Sequence, residues 1–529
     1  MRIPVVVALL ALLVSGPALR AADAPPKSAP PHHAPPEHAT SEGATPEHEA
    51  GQRGEPKRIA PPADVTTDHT LRFGSRQIAY RATAGTLPLH DEAKGDVTAD
   101  LFYVAYAMTG QDAATRPITF VFNGGPGAAS AYLHLGTLGP RVLAFTDDHD
   151  SLSTTRRLVD NPETWLDFTD LVFVDPVGTG YSRGVGTEEE IAKRFWGVKQ
   201  DVEAMAAFVR LYLTRADRLA SPKYLAGESY GGFRAARLAE ALQGHEGIAI
   251  SGAFMVSPVL EFETISGSAY SPLAWALRLP SYAATALEAA GKLSPQALGD
   301  VEHFALGDYL TALASGPHDP AVAARIDEAL ATYTGLKREL IAQQHERIPL
   351  NVFIKEFRRA DGRVLSRYDT AVSDPDPFPA SLGPRGGDAI LQGTIAPFTT
   401  AFVGYARDEL GFKTDQPYHL LNGRVSNKWD WKSGGLSGDF GEGFPGSLDE
   451  LREALALNPR LRVVIAHGMT DLVTPYFATH YLIDQLPALG PEPRVVLKLY
   501  AGGHMMYLRP AMRAQLHQDA AELYRATAG

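Results

Sequence analysis

The run Gly227-Glu228-Ser229-Tyr230-Gly231-Gly232 joins a short apolar stretch at Tyr224 to a segment in which Ala235, Leu238, Ala239 and Leu242 repeat at helical spacing. A serine in that strand, sharp turn, helix context is the G-x-S-x-G elbow, which lifts a nucleophilic oxygen above a sheet edge at a helix N-terminus. The glycines let the backbone turn within one residue. The competing reading is a buried structural serine. A serine oxygen needs a general base, and the base needs an orienting acid. Asp471 follows the apolar run 463–466, in His467-Gly468-Met469-Thr470-Asp471, and His504 follows the run 495–499, in Gly502-Gly503-His504-Met505-Met506-Tyr507. Both come after Ser229 in the chain, acid first, at the C-terminal ends of expected strands, where open α/β sheets place their sites. His467 and His480 are competing bases and Asp484 a competing acid. His467 closes a strand, and His480 and Asp484 share an amphipathic segment with Tyr476 and Leu482, so packing and solvation account for them more simply.

The tetrahedral intermediate of acyl transfer needs two convergent N–H groups. Tyr230, just after the serine, supplies one, and Asn123-Gly124-Gly125-Pro126-Gly127, directly after the run 118–122, can supply the other. The plain alternative for that loop is an ordinary turn. Gly441-Glu442-Gly443-Phe444-Pro445-Gly446 fits G-x-G-x-x-G literally, but no strand precedes it and Pro445 stands inside it, so it reads as a loop. Neither a Walker A pattern nor H-E-x-x-H occurs, so phosphate-loop and zinc-hydrolase chemistry have no support.

These residues require elements to hold them. Partly alternating segments at 77–84 and 96–108 read as strands, and almost wholly apolar runs at 118–122, 171–174, 224–226, 253–256, 463–466 and 495–499 suit strands covered on both faces. Between them, residues 188–215 read as one helix, with Val198, Val202, Met205, Ala206, Val209, Tyr212 and Leu213 on one side. Alternating strands and helices predict an α/β fold with a mostly parallel central sheet and helices on both faces. Residues 271–397 break the rhythm, Ala-rich and helical to about His345 and then loop-rich, and read as a cap inserted into one catalytic domain spanning 65–529.

The chain has 529 residues, 45% of them hydrophobic, with a formal charge of −12 at pH 7. That balance argues against nucleic acid as a partner. Cysteine is absent, which removes disulfides, thiolate metal sites and cysteine nucleophiles. Arg2, the apolar run 3–14, Ser15-Gly16-Pro17 and the small residues at Ala21 and Ala22 predict a cleaved signal peptide over residues 1–22, too short to span a bilayer, and hence an exported protein with no stable membrane span. Residues 23–64, rich in Ala, Pro, His and Glu, read as a disordered linker whose histidines lack any fixed metal geometry.

Phe122-Asn123-Gly124-Gly125-Pro126-Gly127, Val174-Asp175-Pro176-Val177-Gly178-Thr179-Gly180-Tyr181-Ser182, the Ser229 elbow and Gly503-His504 together resemble the serine carboxypeptidases, from about Leu71 to Arg525 with the cap unassigned. The resemblance implies an α/β-hydrolase fold, an acyl-enzyme mechanism with no metal or other cofactor, and removal of C-terminal amino acids from a peptide substrate. It implies Ser229 as nucleophile, His504 as base, Asp471 as its orienter, and Gly125 and Tyr230 as oxyanion donors. Asn123, Gly124 and Glu228 match positions that hold the substrate's terminal carboxylate, and Met505 is similar to a residue shaping the leaving-residue pocket.

Glu228 assists a carboxylate only when protonated. The family pairs it with a second glutamate before a Leu-Gly-Pro segment, and here Thr137 stands in that place, before Leu138-Gly139-Pro140. Like-charge repulsion is therefore absent, and a smaller upward shift of Glu228 is expected. Either exopeptidase activity fades earlier as pH rises, or esters and amides compete. The lack of cysteine, the leader and Asn427-Lys428-Trp429-Asp430-Trp431 look like the bacterial branch of the family. Trp429 and Trp431 are read equally as lining a side-chain pocket or as simple packing. An exported esterase or acyltransferase on the same triad, a non-catalytic binding protein and a lyase on the same fold are the alternative functions, and oligomeric state is left open.

Overall fold

The computed structural model describes residues 59–144, 157–267, 269–316, 318–434 and 443–527. The expected signal peptide, the linker up to residue 58, and Gly441 and Glu442 lie outside these. Residues 59–529 form one compact unit. The last linker residues belong to it: Asp64 accepts the Thr86 N–H at 3.0 Å and pairs with Arg215 at 3.1 Å, so the domain begins about six residues before the expected boundary.

Nine strands make the main path of the sheet: β1 (Val65–Phe73), β2 (Arg76–His90), β3 (Val97–Met108), β4 (Ile118–Phe122), β5 (Asp170–Val174), β6 (Lys223–Glu228), β7 (Gly252–Val256), β8 (Arg462–Gly468) and β9 (Val495–Tyr500). Their order is β1-β2-β3-β5-β4-β6-β7-β8-β9, and the two-residue strand Arg183–Gly184 pairs with β3 as a tenth. The first three and the β3/β5 pair are antiparallel, and every pairing from β5 to β9 is parallel. Strands β4, β5 and β7 are buried at every position, as continuous apolar runs require when both faces are covered.

The principal helices are α1 (Glu188–Phe195), α2 (Val198–Arg215), α3 (Tyr230–Gly244), α4 (Pro272–Ala289), α5 (Pro320–Thr334), α6 (Ala389–Asp408), α7 (Leu448–Leu457), α8 (Tyr476–Asp484) and α9 (Pro510–Thr527). One face of the sheet packs with α2, α3 and α7, around Phe120, Met205, Phe233 and Leu451. The other packs with α6 and α9, around Phe173, Phe402, Leu516 and Tyr524. A third cluster joins α4, α5 and their neighbours to Met469, Leu472, Tyr476 and Phe477, so this part of the insertion between β7 and β8 packs against the loop that carries Asp471 and the start of α8.

Two expectations require correction. The single helix over 188–215 is two, because the chain leaves helical geometry at Trp196 and Gly197 to exchange backbone hydrogen bonds with Asp430 at 2.8 and 3.2 Å. A capping box between Thr187 and Glu190 starts α1, and the apolar period carries across the break because both helices bury residues against the same cluster. The cap limit at 397 falls inside α6. Asp388 caps that helix on the Ile390 N–H, and Phe398, Phe402 and Tyr405 bury with Phe102 and Tyr106, so α6 packs on the sheet domain although it follows a loop rich in Gly and Pro.

Candidate active site

Parallel register brings the three chemical residues to one sheet edge. Glu228 pairs with Val256, which pairs with Ala466, which pairs with Lys498. Ser229, Ser257, Asp471 and His504 therefore all leave the C-terminal ends of adjacent strands. Ser229 adopts φ 59°, ψ −124°, a strained conformation for a residue with a side chain, and its N–H is held by the Val256 carbonyl at 2.9 Å. The elbow needs Gly227, since a Cβ there would lie 2.0 Å from the Gly231 carbonyl oxygen.

His504 Nδ1 lies 2.7 Å from Asp471 Oδ2. The other carboxylate oxygen of Asp471 accepts the N–H groups of Val473 (2.8 Å) and Thr474 (3.0 Å), and the Thr474 hydroxyl sits 2.7 Å from Oδ2. Ser257, itself at φ 45°, donates its hydroxyl to the His504 carbonyl at 2.9 Å, which ties the histidine loop to the strand beside the Ser229 elbow. Burial alone would lower His504. The charge and hydrogen bond of Asp471, helped by the charge of Glu228, outweigh it, and the imidazole is shifted upward. His467, by contrast, is pushed down to about 4 by burial and bonds Thr479 at 2.8 Å, a packing histidine in β8. His480 lies on α8, 3.9 Å from Asp484 and half exposed.

The loop 123–127 closes directly on the elbow. A Cβ at Gly124 would meet Tyr230 N at 2.5 Å, Glu228 O at 2.7 Å and Gly231 N at 2.9 Å, so only glycine permits this approach. The loop that carries Gly125 and the Tyr230 N–H are thus brought together. Behind them Arg234, 1% exposed, forks onto Asp201 at 2.6 and 3.2 Å and donates to the Asn123 carbonyl at 2.7 Å. The Tyr230 ring stacks on Phe233 and is met edge-on by Trp429 (5.4 Å) and Trp431 (5.8 Å), so the two tryptophans brace the residue after the nucleophile. Asp175, from the Val174–Ser182 segment, accepts the N–H (2.8 Å) and hydroxyl (2.9 Å) of Ser130 and is raised to about 6 by burial.

Glu228 is buried beneath these loops. Asn123 Nδ2 donates to its Oε2, and the Tyr507 hydroxyl lies 3.0 Å from both carboxyl oxygens. Burial dominates and raises it to about 7, against the pull of His504, Tyr507 and Asn123 toward the charged form. Thr137 is buried, but its hydroxyl has no hydrogen-bond partner. An expectation built on the missing second carboxyl left out burial, which is the largest cause of the shift. Met505 is buried with Met506 and Tyr507 in the core cluster beside the histidine loop.

Sequence reading missed Tyr507, Thr474, Ser257, the Asp201–Arg234 pair and Tyr368, whose backbone carbonyl accepts the His504 N–H. Tyr507 lies in the quoted histidine motif, three residues past His504. Thr474 lies three residues past Asp471, and nothing local marks the others, because their roles depend on contacts between separate segments of the chain.

The serine carboxypeptidase family model matches residues 79–272. Serine-type carboxypeptidase F of Aspergillus niger is 33% identical over 153 residues, 28% of this chain and 24% of that protein. The pheromone-processing carboxypeptidase KEX1 of Tuber melanosporum is 30% identical over 155 residues, 29% of this chain and 22% of that protein. The matched segment spans about a quarter of the length of these curated relatives. The crystal structure of the KEX1 prohormone-processing carboxypeptidase from Saccharomyces cerevisiae superposes with a TM-score of 0.51 at 17% identity, covering 84% of this chain and 91% of that one. The fold is the α/β-hydrolase fold.

Proposed function

Through residues 79–272 the chain belongs to the serine carboxypeptidase family, and from that premise we propose that it hydrolyses the C-terminal peptide bond of peptides by way of an acyl-enzyme. Ser229 attacks the scissile carbonyl while His504 takes its proton, and Asp471 holds the imidazole by its Nδ1–H. The N–H groups of Gly125 and Tyr230 receive the oxyanion, His504 returns the proton to the leaving amine, and water repeats the sequence to free the acid. Met505 helps shape the site of the leaving residue. The observation that carries the reading is Glu228: a buried carboxyl bonded to Asn123, one residue before the strained serine and raised to about 7, keeps a proton that a terminal carboxylate can accept.

The test is release of the C-terminal amino acid from a blocked dipeptide, against its amide and methyl ester, for the parent, Ser229→Ala and Glu228→Gln. Cleavage of the free acid, abolished in Ser229→Ala and weakened selectively in Glu228→Gln, is expected. Preference for ester or amide at every pH assigns the triad to an esterase or acyltransferase instead.

We also infer export to the periplasm or beyond, on the basic, apolar and small-residue pattern of residues 1–22. Among the described residues no helix is long and apolar enough to cross a membrane. N-terminal sequencing of the mature protein, with cleavage near Ala22, checks the inference.

A further inference from the structure

We propose that Tyr507 is the positioning residue of Glu228, so that terminal-carboxylate recognition in this chain rests on a carboxyl paired with a phenol in place of a second carboxyl. The inference rests on the reading of Glu228 given above and concerns how that group is held and tuned.

The geometry is specific. Tyr507 sits on the short turn Met506–Leu508, directly after His504, and is fully buried. Its hydroxyl is equidistant, at 3.0 Å, from the two oxygens of Glu228. The place that the resemblance assigns to a second glutamate is Thr137, whose hydroxyl bonds to nothing. Its neighbour Gly136 lies flat against the Tyr507 ring, with room for no side chain: a Cβ there would come within 2.7 Å of Cε2. This wall of the site is closed by an aromatic ring reaching Glu228 from the histidine loop.

The chemistry differs from that of a carboxyl pair. Two carboxyls sharing a proton retain it because a second negative charge is repelled. A phenol shifted well above its ordinary range stays neutral and donates, which favours the ionised carboxylate. The groups facing Glu228 are His504 and Tyr507 from the loop after β9, Asp471 from the loop after β8, Asn123 from the loop after β4, and Tyr132 from the turn that follows it. His504, Tyr507 and Asn123 stabilise its charge, Asp471 opposes it, and burial opposes it most. Because Tyr507 and Asn123 both donate, neither consumes the Glu228 proton, which remains available for an incoming carboxylate. Loss of the Tyr507 hydroxyl removes one stabiliser of the charged form, and Glu228 then holds its proton to higher pH.

The experiment follows the ratio of kcat/KM for a blocked dipeptide free acid to kcat/KM for its amide, from pH 5 to 10. Both substrates need neutral His504, so that dependence cancels and the ratio reports Glu228. In the parent the ratio falls through about pH 7. Tyr507→Phe is expected to move the midpoint upward by roughly one pH unit, as the loss of a hydrogen bond to a charged group implies. 3-Fluorotyrosine placed at position 507, a near-isosteric and stronger donor, is expected to move it downward. A midpoint unchanged in both variants, or a fall in rate for both substrates at every pH without displacement, overturns the proposal. Glu228→Gln separates the two levels of argument: if it leaves the ratio's pH course intact, the reading of Glu228 has failed and takes this inference with it. If it abolishes that course while the position-507 variants do not move the parent's midpoint, only the role of Tyr507 is lost.

Discussion

The backbone carbonyl of Tyr368 accepts the His504 N–H at 2.5 Å, and the tyrosine ring meets the imidazole edge to face, centroids 5.4 Å apart at 84°. Tyr368 lies between β7 and β8, in the long insertion, so the proposed base is held by a segment outside the sheet. The next residue, Asp369, is bonded by Arg509 at 2.7 to 3.1 Å, and Arg509 also reaches Glu288 of α4 at 2.6 Å. The Arg367 carbonyl accepts the Leu472 N–H at 3.1 Å. One strap thus touches both the acid loop and the histidine loop.

That strap makes Arg509 a coupling point. Arg509→Met keeps the apolar stem but leaves Asp369 and Glu288, both largely buried, without their cation. A stability loss of about 2–4 kcal/mol is expected, toward the lower end of buried-pair deletions because Arg509 is partly exposed. A fall in kcat of about tenfold should accompany it, with KM little changed. Urea unfolding and steady-state kinetics on one preparation check this, and a variant destabilised with full kcat would show that the strap is structural only.

Asp471→Asn has a direction set by the hydrogen bonds. One oxygen of Asp471 is committed to the N–H groups of Val473 and Thr474, so asparagine must place its oxygen there and turn its NH2 toward His504 Nδ1. That selects the wrong tautomer, and kcat is expected to fall about 10⁴-fold, as such a change costs in serine hydrolases. Thr474→Val removes only one donor to the same carboxylate and should cost roughly three- to tenfold. Comparable losses in the two variants would contradict this division.

Much of this architecture was legible because apolar runs, helix periods and strand-end motifs are local. Residues 118–122 were bounded as the strand is, and Ser229, Asp471 and His504 were placed at strand ends because glycine-rich turns mark them. The break at Trp196 and Gly197 was not legible, since it depends on pairing with Asp430, over 200 residues away. The same holds for α6, which runs through the expected cap limit at 397, while Phe398 and Phe402 commit it to the sheet's core. Around the site, direct contacts between separate elements are equally hidden from the sequence: Arg234 of α3 bonds Asp201 of α2 and the Asn123 carbonyl, partners 33 and 111 residues away. The Trp429 and Trp431 side chains, read either as pocket or as packing, are found against Tyr230.

Gly124→Ala probes the oxyanion loop. The added methyl would fall 2.5 Å from Tyr230 N and 2.7 Å from Glu228 O, both backbone atoms of the elbow, so the loop itself must retreat. Separating the Gly125 and Tyr230 N–H groups is expected to lower kcat by 10²- to 10³-fold, the usual cost of losing one oxyanion donor. An active-site phosphonate that labels Ser229 should react correspondingly slowly, and normal labelling would place the second donor elsewhere.

Glu228 also predicts how stability depends on pH. Folded, it keeps its proton up to about pH 7, whereas its ordinary value is 4.5. Between those values the unfolded chain binds fewer protons than the folded one, so this group's contribution to stability falls as pH rises. It is neutral below 4.5, and above 7 the cost is complete, about 3 kcal/mol at 1.36 kcal/mol per unit. Glu228→Gln abolishes the titration while leaving an amide that Asn123 and Tyr507 can still bond. Relative to the parent, the variant should therefore gain about 3 kcal/mol between pH 4 and pH 8, read as a growing difference in urea midpoint. A difference that stays constant across that range would mean that Glu228 ionises normally in the folded protein. A variant more stable at pH 8 that has lost its preference for a free carboxylate would show that the buried carboxyl is kept for recognition at a cost in stability.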